Sequence, residues 1–389
     1  MPKKSRPRTG SLAIRPRKRA KKETPSFATY SKTSVKNSAV NFMGYKAGML
    51  HLLVKNETPK TTSFGQEISL PVTVIECPPL KVFGLRAYTT NLQTRGTRVL
   101  MEVNAEKTDV HLGRKIKSFR KKHGKEQKNS SSKTDTEKKK HGSRSLEDLE
   151  KNKSQIVGLR LLVHTQIGLT NTGRKKPDVS EIALNGSIDE QLAFAKQKLG
   201  HELSVSDVLE KNQLIDIKAV TKGKGMQGVI KRHRVKMQRH KAKNTRTVGA
   251  ISPWHPPTVM WTVARPGQMG YHNRTEFNKR IVQIANPKQL NVTPKGGFSH
   301  YGVLQNEYVL VAGSIAGPPK RCIALRPAVR PFGARNLKLG EISNFSTMDF
   351  KSENADEPIK AHKVVLEKTE KAVHKSVEDE LKEATKVKA

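Results

Sequence analysis

Short apolar runs bounded by turn residues alternate along this chain with long stretches that have almost nothing to bury. From residue 40 to about 103 the apolar positions fall in bursts at 41–54, 72–75, 82–85 and 99–101. Punctuation by Gly, Pro and Asn and enrichment in Val, Ile and Phe predict strands there. The same signal returns at 156–163, 179–184, 214–220, 280–284, 308–311 and 322–325. Helical signals are fewer. Ser187-Ile-Asp-Glu190 is a capping-box arrangement, with the serine placed to accept from the Glu190 amide, and predicts a helix ending near Gly200. A second short helix is expected over residues 205–210. Near the C-terminus Leu366, Val373, Val377 and Leu381 recur at helical spacing among balanced lysines and acids, which predicts a solvated or partner-docked helix. The fold class expected is mainly β with a few helices, the strands forming an interrupted barrel.

Composition divides the chain further. Lys and Arg number 74 against 34 Asp and Glu, for a formal charge of +40, while only 34% of residues are hydrophobic and 5% aromatic. That charge calls for a polyanionic partner, and the low apolar content implies one core plus extensions. The first 22 residues carry ten cations and no acid, broken by Pro2, Pro7 and Pro16, so they read as an arm. The resulting expectation is a basic extension over 1–39, a β body in pieces at 40–105, 154–221 and 279–345, and a low-complexity basic insertion over 106–153. A long extension at 222–278 and a charged tail at 346–389 complete it. No apolar run approaches the roughly 18 to 20 residues of a membrane span. The N-terminus lacks the apolar stretch of a signal peptide, and two cysteines, Cys77 and Cys322, make neither a disulfide framework nor a metal pair. A reducing, cytoplasmic setting without cofactors is expected.

Between Asp216 and Glu276 there is no acidic residue, yet the stretch holds thirteen Lys and Arg. Those charges have no internal partner in the sequence, and placing them near backbone phosphates, with release of condensed counterions, relieves their repulsion. A solvated basic face is the alternative for a short run, less so for one this long. Within the segment Gly223-Lys-Gly-Met-Gln-Gly228 has the spacing of a dinucleotide-binding turn, but no amphipathic helix and no ribose-binding acid follow it. The glycines suit tight bends and close approach to phosphate instead. Ile251-Ser-Pro-Trp-His-Pro-Pro257 is too proline-rich for a helix or central strand and reads as a stiff loop presenting Trp254 for stacking on an unpaired base. Trp261, within the strand-like 259–263, reads as a core residue. The residues expected to touch RNA are Arg6, Arg8, Arg15 and Arg17 in the arm. In the extension they are Lys222, Lys224, Lys231, Arg232, Arg234, Arg239, Lys241, Arg246, Trp254, His255, Arg265, His272 and Arg274.

Val220-Thr-Lys-Gly-Lys-Gly-Met-Gln-Gly-Val-Ile-Lys-Arg232 and Trp254-His-Pro-Pro-Thr-Val-Met-Trp-Thr-Val-Ala-Arg-Pro-Gly-Gln-Met-Gly-Tyr-His-Asn-Arg-Thr275 carry a specific resemblance. So do Ser5-Arg-Pro-Arg-Thr-Gly-Ser-Leu-Ala-Ile-Arg-Pro-Arg17, Gly44-Tyr-Lys-Ala-Gly-Met49 and Ala312-Gly-Ser-Ile-Ala-Gly-Pro-Pro-Lys-Arg321. The chain resembles the universal third protein of the large ribosomal subunit, in its archaeal and eukaryotic form, over most of its length. The resemblance implies a translation-factor-like β-barrel body bound near the 3′ end of the large ribosomal RNA, with long basic RNA-binding extensions. It also implies a central finger whose Trp254 lies near the peptidyl transferase centre and whose flank, residues 222–246, is packed in RNA. Neighbouring large-subunit proteins are implied partners. Some relatives carry a methylatable histidine about twelve residues before this tryptophan; here that place falls near Ala242, so no such modification is carried over. The insertion and the last 40 residues match no motif of the family.

Ordering the 22-residue arm costs roughly 20 to 40 kcal/mol, so an arm that orders only on RNA, with steeply salt-dependent binding, is expected. Two other classes compete. A general nucleic-acid-compacting protein would share the charge but needs no Pro-Trp-His-Pro loop, and equal affinity for duplex DNA would mark it. An RNA-modifying enzyme would need a pocket with acids, whereas the extension has none, and no HExxH or GxSxG motif occurs. No catalytic role, membrane or small-molecule substrate is expected.

Overall fold

The computed structural model describes residues 10–27, 39–91, 93–94, 96–105, 108–119, 146–331 and 339–346. In chain order the strands are β1 (Phe42–Asn56), β2 (Glu67–Glu76), β3 (Leu80–Asn91), β4 (Gly96–Asn104), β5 (Gly158–Thr165), β6 (Val179–Ala183), β7 (Glu202–Leu203), β8 (Leu214–Val220), β9 (Met226–Gln227), β10 (Gly267–Gln268), β11 (Asn273–Ala285), β12 (Tyr308–Ala312), β13 (Cys322–Pro327) and β14 (Leu339–Ser346). The α-helices are α1 (Leu146–Lys151), α2 (Ile188–Lys198) and α3 (Val229–His233). A mainly β class with a few helices therefore holds.

The first sheet runs β13-β8-β11-β12-β2-β1-β14. Its central strands are apolar because both faces are covered: β12 and β13 are buried almost throughout. The expected barrel is not closed along its length. β1 meets β13 over four residue pairs only, Phe42↔Leu325 to Tyr45↔Cys322. It then shifts register between Lys46 and Gly48, and its second half pairs with β2 on one edge and β14 on the other. A 15-residue strand is too long for one short closed layer, so a β1–β2 hairpin extends beyond the seam. Gly48 sits at the bend, where a Cβ would strike the Phe298 ring.

The second sheet is open, in the order β4-β3-β5-β6 with β7 also on β3. One face joins the first sheet in a single core. Across the interior Tyr45 Oη lies 2.8 Å from Thr165 Oγ1 and donates to Asp178 Oδ2 at 3.0 Å, a polar link between the two sheets. On β3 to β6 the charged side chains form a cross-strand ladder: Arg86 pairs with Glu102 at 2.7 Å and with Glu181, and Arg160 pairs with Glu181 at 3.0 Å and stacks on Tyr88. α2 packs on β5 behind the predicted capping box, with Ser187 Oγ accepting from Glu190 N at 3.4 Å and Glu190 Oε2 from Ser187 N at 3.1 Å.

Two expectations are corrected here. Residues 205–210 form turns, not a helix; Val205, Val208 and Leu209 are buried in a loop whose Ser204 amide is held by Asp207. The described ends of the low-complexity insertion also contribute to the core. Leu112, in a 3-10 turn, and Leu149, in α1, are fully buried, because a single leucine per turn suffices to anchor a polar segment. The middle of the insertion and the C-terminal helix lie outside the described residues.

Candidate nucleic-acid interface

β8 ends at Val220 and β11 begins at Asn273, with Asn273 paired to Val220, so residues 221–272 leave and rejoin the first sheet at one point. Above that point β9 and β10 pair in a two-residue ribbon, reinforced by Lys224 N donating to Met269 O at 3.0 Å and Met269 N to Gly225 O at 2.8 Å. Residues 228–266 are therefore one excursion closed at its root. Gly270, at φ +70°, is required there: a Cβ would collide with the Lys222 carbonyl. The Gly-x-Gly-x-x-Gly stretch leads only into the five-residue α3, whose C-cap Arg234 adopts the left-handed conformation, so it has none of the helix a dinucleotide site requires.

With no acid available, the root is held by arginine-to-carbonyl hydrogen bonds. Arg232 donates through Nε to Gln268 O at 3.0 Å, through Nη1 to Arg265 O at 2.9 Å and through Nη2 to Arg17 O at 3.1 Å. Arg17 returns the contact, Nη1 to Arg232 O at 3.0 Å, and also donates to His233 Nδ1 at 3.2 Å. His272 Nδ1 donates to Lys18 O at 3.0 Å, and Ala20 N to Tyr271 O at 2.8 Å. Arg15 Nη1 reaches Trp261 O at 2.9 Å, its guanidinium over the indole. Further along, Thr24 donates to Asp178, and Glu23 pairs with Arg174 and Arg321. Residues 10–27, part of the expected arm, thus lie along the root of the excursion and the adjoining body, held by bonds to backbone carbonyls and by the contacts of Glu23 and Thr24.

This packing leaves a buried basic cluster. Burial first, then the neighbouring Arg17, Arg232 and Arg15, push the His233 imidazole down to about 4, so it is neutral. As Nδ1 accepts from Arg17, its proton sits on Nε2. Burial and then Arg15, Arg232 and Arg274 lower Arg17, and burial and Arg15 lower Arg232.

The expected site residues thus separate. Arg15, Arg17, Lys222, Lys224, Arg232, His272 and Arg274 gather at the root, with Arg17, Arg232 and His272 turned to protein carbonyls. Lys231, Arg234, Arg239, Lys241, Arg246 and Arg265 are exposed along the excursion. Trp254 is 88% exposed, next to His255. Arg6 and Arg8 lie outside the described residues. Trp261, expected in the core, is 67% exposed: prolines at 256, 257 and 266 and the lack of a partner strand keep 259–263 out of any sheet. Met226, Met237, Ile251 and Met260 are also exposed beside these cations. Alternation of Lys or Arg with isolated large apolar residues was the signal available for them. Among the described residues no group of His, Cys, Asp and Glu could hold a metal, and no helix is long and apolar enough to cross a membrane. Cys77 and Cys322 are buried free thiols, both pushed up by burial.

The β body thus sends out an acid-free excursion with a basic arm laid against its root, and the positive charge of both has no acidic counterpart within the excursion. The family model for Ribosomal protein L3 matches residues 1–358, and the chain belongs to that family, which is one of ribosomal proteins and not of enzymes. It is similar to "Large ribosomal subunit protein uL3" of Methanocaldococcus jannaschii, 44% identical over 348 residues that cover 88% of this chain and 97% of the relative. The protein of the same name from Methanococcus vannielii is 44% identical over 333 residues, 85% of this chain and 93% of the relative. That from Methanococcus maripaludis is 43% identical over 349 residues, 89% and 97%.

Proposed function

We propose that this protein is a structural component of the large ribosomal subunit, that it binds large-subunit rRNA near its 3′ end, and that it supports assembly of the subunit. The single observation that carries the reading is the acid-free excursion: between Asp216 and Glu276 every charged side chain is positive, and the outer ones are exposed. In this reading residues 222–278 are a finger that enters the RNA, with Lys231, Arg234, Arg239, Lys241 and Arg246 against phosphates. Trp254 stacks on an unpaired base near the peptidyl transferase centre. Residues 10–27 run beside it, and in this reading Arg6 and Arg8 add further phosphate contacts. The β body sits at the subunit surface among neighbouring ribosomal proteins, and the protein works on cytoplasmic ribosomes.

Binding is tested with the purified protein, a 3′-terminal fragment of large-subunit rRNA and duplex DNA of equal length. With six to ten phosphates neutralised, rRNA affinity falls by about 10³ to 10⁵ between 50 and 200 mM salt, and rRNA remains well ahead of DNA at the higher salt. Equal affinity for both at 200 mM marks a general nucleic-acid-compacting protein and overturns the assignment.

A further inference from the structure

Glu23 is the only acid among the first 39 residues, and the ten cations of the arm end at Lys22, immediately before it. A carboxylate has no use on a surface made for phosphate, so its partners show what it is for. Oε2 lies 2.6 Å from Arg174 and Oε1 lies 3.1 Å from Arg321. Arg321 directly precedes β13 of the first sheet, and Arg174 lies in the loop that leads into β6 of the second, so one side chain of the arm bridges both sheets. Its neighbours are held as well. Ala20 N donates to Tyr271 O at 2.8 Å, Thr24 Oγ1 to Asp178 Oδ1 at 2.8 Å and Lys218 Nζ to Ser26 O at 2.6 Å. Pro25 is buried, and Phe27 is buried under the guanidinium of Arg326, which pairs with Asp216. Arg321 also stacks on Tyr271, a non-glycine residue at φ +53° beside Gly270 of the root. Residues 20–27 thus touch the root, both sheets and, through Asp178, the Tyr45 link between them.

We propose that residues 20–27 are a strap that closes on the body before any RNA binds, with Glu23 as its pin. Contact with phosphate and contact with the body call for opposite side chains, and the chain changes from one kind to the other at Lys22. Residues 23–31 hold no cation. A phosphate beside Glu23 would meet a like charge, whereas the guanidiniums of Arg174 and Arg321, partly withdrawn from water, are stabilised by a carboxylate. Arg321 holds Glu23 and Tyr271 together, so the closed strap gives the arm and the excursion one fixed base. The two then meet a polyanion as a preset pair, which lowers the ordering cost left to be met at binding. The device works on the protein alone and stands apart from the rRNA reading.

The test is hydrogen exchange on the RNA-free, full-length protein, read at the Ala20 amide. In the wild-type chain that amide should be protected. Glu23→Gln removes the charge that holds Arg174 and Arg321 and should speed exchange at Ala20 roughly tenfold, a modest figure because Glu23 and Arg174 are partly exposed. Arg321→Gln should act in the same direction, and the two changes together should fall well short of the product of their separate effects, because they break a shared contact. Thr24→Val keeps the shape of the side chain but loses the bond to Asp178, and gives a second reading, an increase of roughly threefold or more. The β12 amides should not change in any of these variants. Protection of Ala20 that appears only when the rRNA fragment is added would overturn the strap. So would exchange unmoved by both Glu23→Gln and Thr24→Val, or an equal acceleration in β12.

Discussion

Arg232 makes the most demanding prediction, because it is an arginine inside an RNA-binding segment whose structural work is internal. Its guanidinium spans Gln268, Arg265 and Arg17, joining α3, the strand β10 and the arm. At roughly 0.5 to 1.5 kcal/mol for each of three hydrogen bonds, Arg232→Ala costs about 2 to 4 kcal/mol of root stability. The lower end is favoured because the change also relieves repulsion of Arg17 and Arg15. Native-state hydrogen exchange reads this at the Lys224 and Met269 amides, whose bonds close the ribbon. Opening there should become roughly 30- to 1,000-fold more frequent, since each 1.4 kcal/mol is a factor of ten, while the β8 and β12 amides in the body do not change. Arg232→Lys keeps the charge but loses the fork, and should show most of the effect. Unchanged exchange at the two root amides, or an equal acceleration in β12, would refute the claim that Arg232 fastens the excursion.

The remaining expectations are simpler. His233 has a folded pKa of about 4, below its unfolded value, so the unfolded chain binds more protons in acid; root stability is full above about pH 6.5 and falls as pH drops toward 4. His233→Gln should flatten that pH dependence in exchange measurements, and an unaltered profile counts against a buried neutral histidine. Glu76 is fully buried and accepts from the Gln305 amide, the Asn306 amide and the Asn306 side chain, each at 2.9 Å, and from Tyr301. Glu76→Gln should lower unfolding free energy by about 2 to 4 kcal/mol in urea, and an unmoved midpoint would contradict the bonding described. Gly270→Ala should loosen the root by more than about 1 kcal/mol through its left-handed backbone and the Lys222 carbonyl, again seen at the Met269 amide. Trp254→Ala should change thermal stability by less than about 0.5 kcal/mol, because the indole is exposed, yet weaken rRNA binding by about 1 to 3 kcal/mol.

The body was legible where burial is two-sided or alternating: β8, β12 and β13 announce themselves as runs of apolar residues, and the α2 capping box names its own helix start. It was misleading at 205–210 and 259–263. In the first, Val205, Val208 and Leu209 have helical spacing but are buried by a loop. In the second, an apolar run looked like a strand although no neighbour offers it an edge. The cationic excursion itself was plain from the missing acids. What its sequence could not show is the partition within it. Arginine bonded to backbone carbonyl leaves no complementary residue to find, so Arg17 and Arg232 look like Arg239 and Arg246 until the chain is folded. Closure of the body was equally hidden, since strand pattern does not say that β1 abandons β13 after four pairs.

A density map of purified large subunits tests the central claim most directly. Residues 222–278 should be surrounded by nucleotides, with a base against Trp254. The finger lying in open solvent, or sheathed by protein acids in place of RNA, would contradict it.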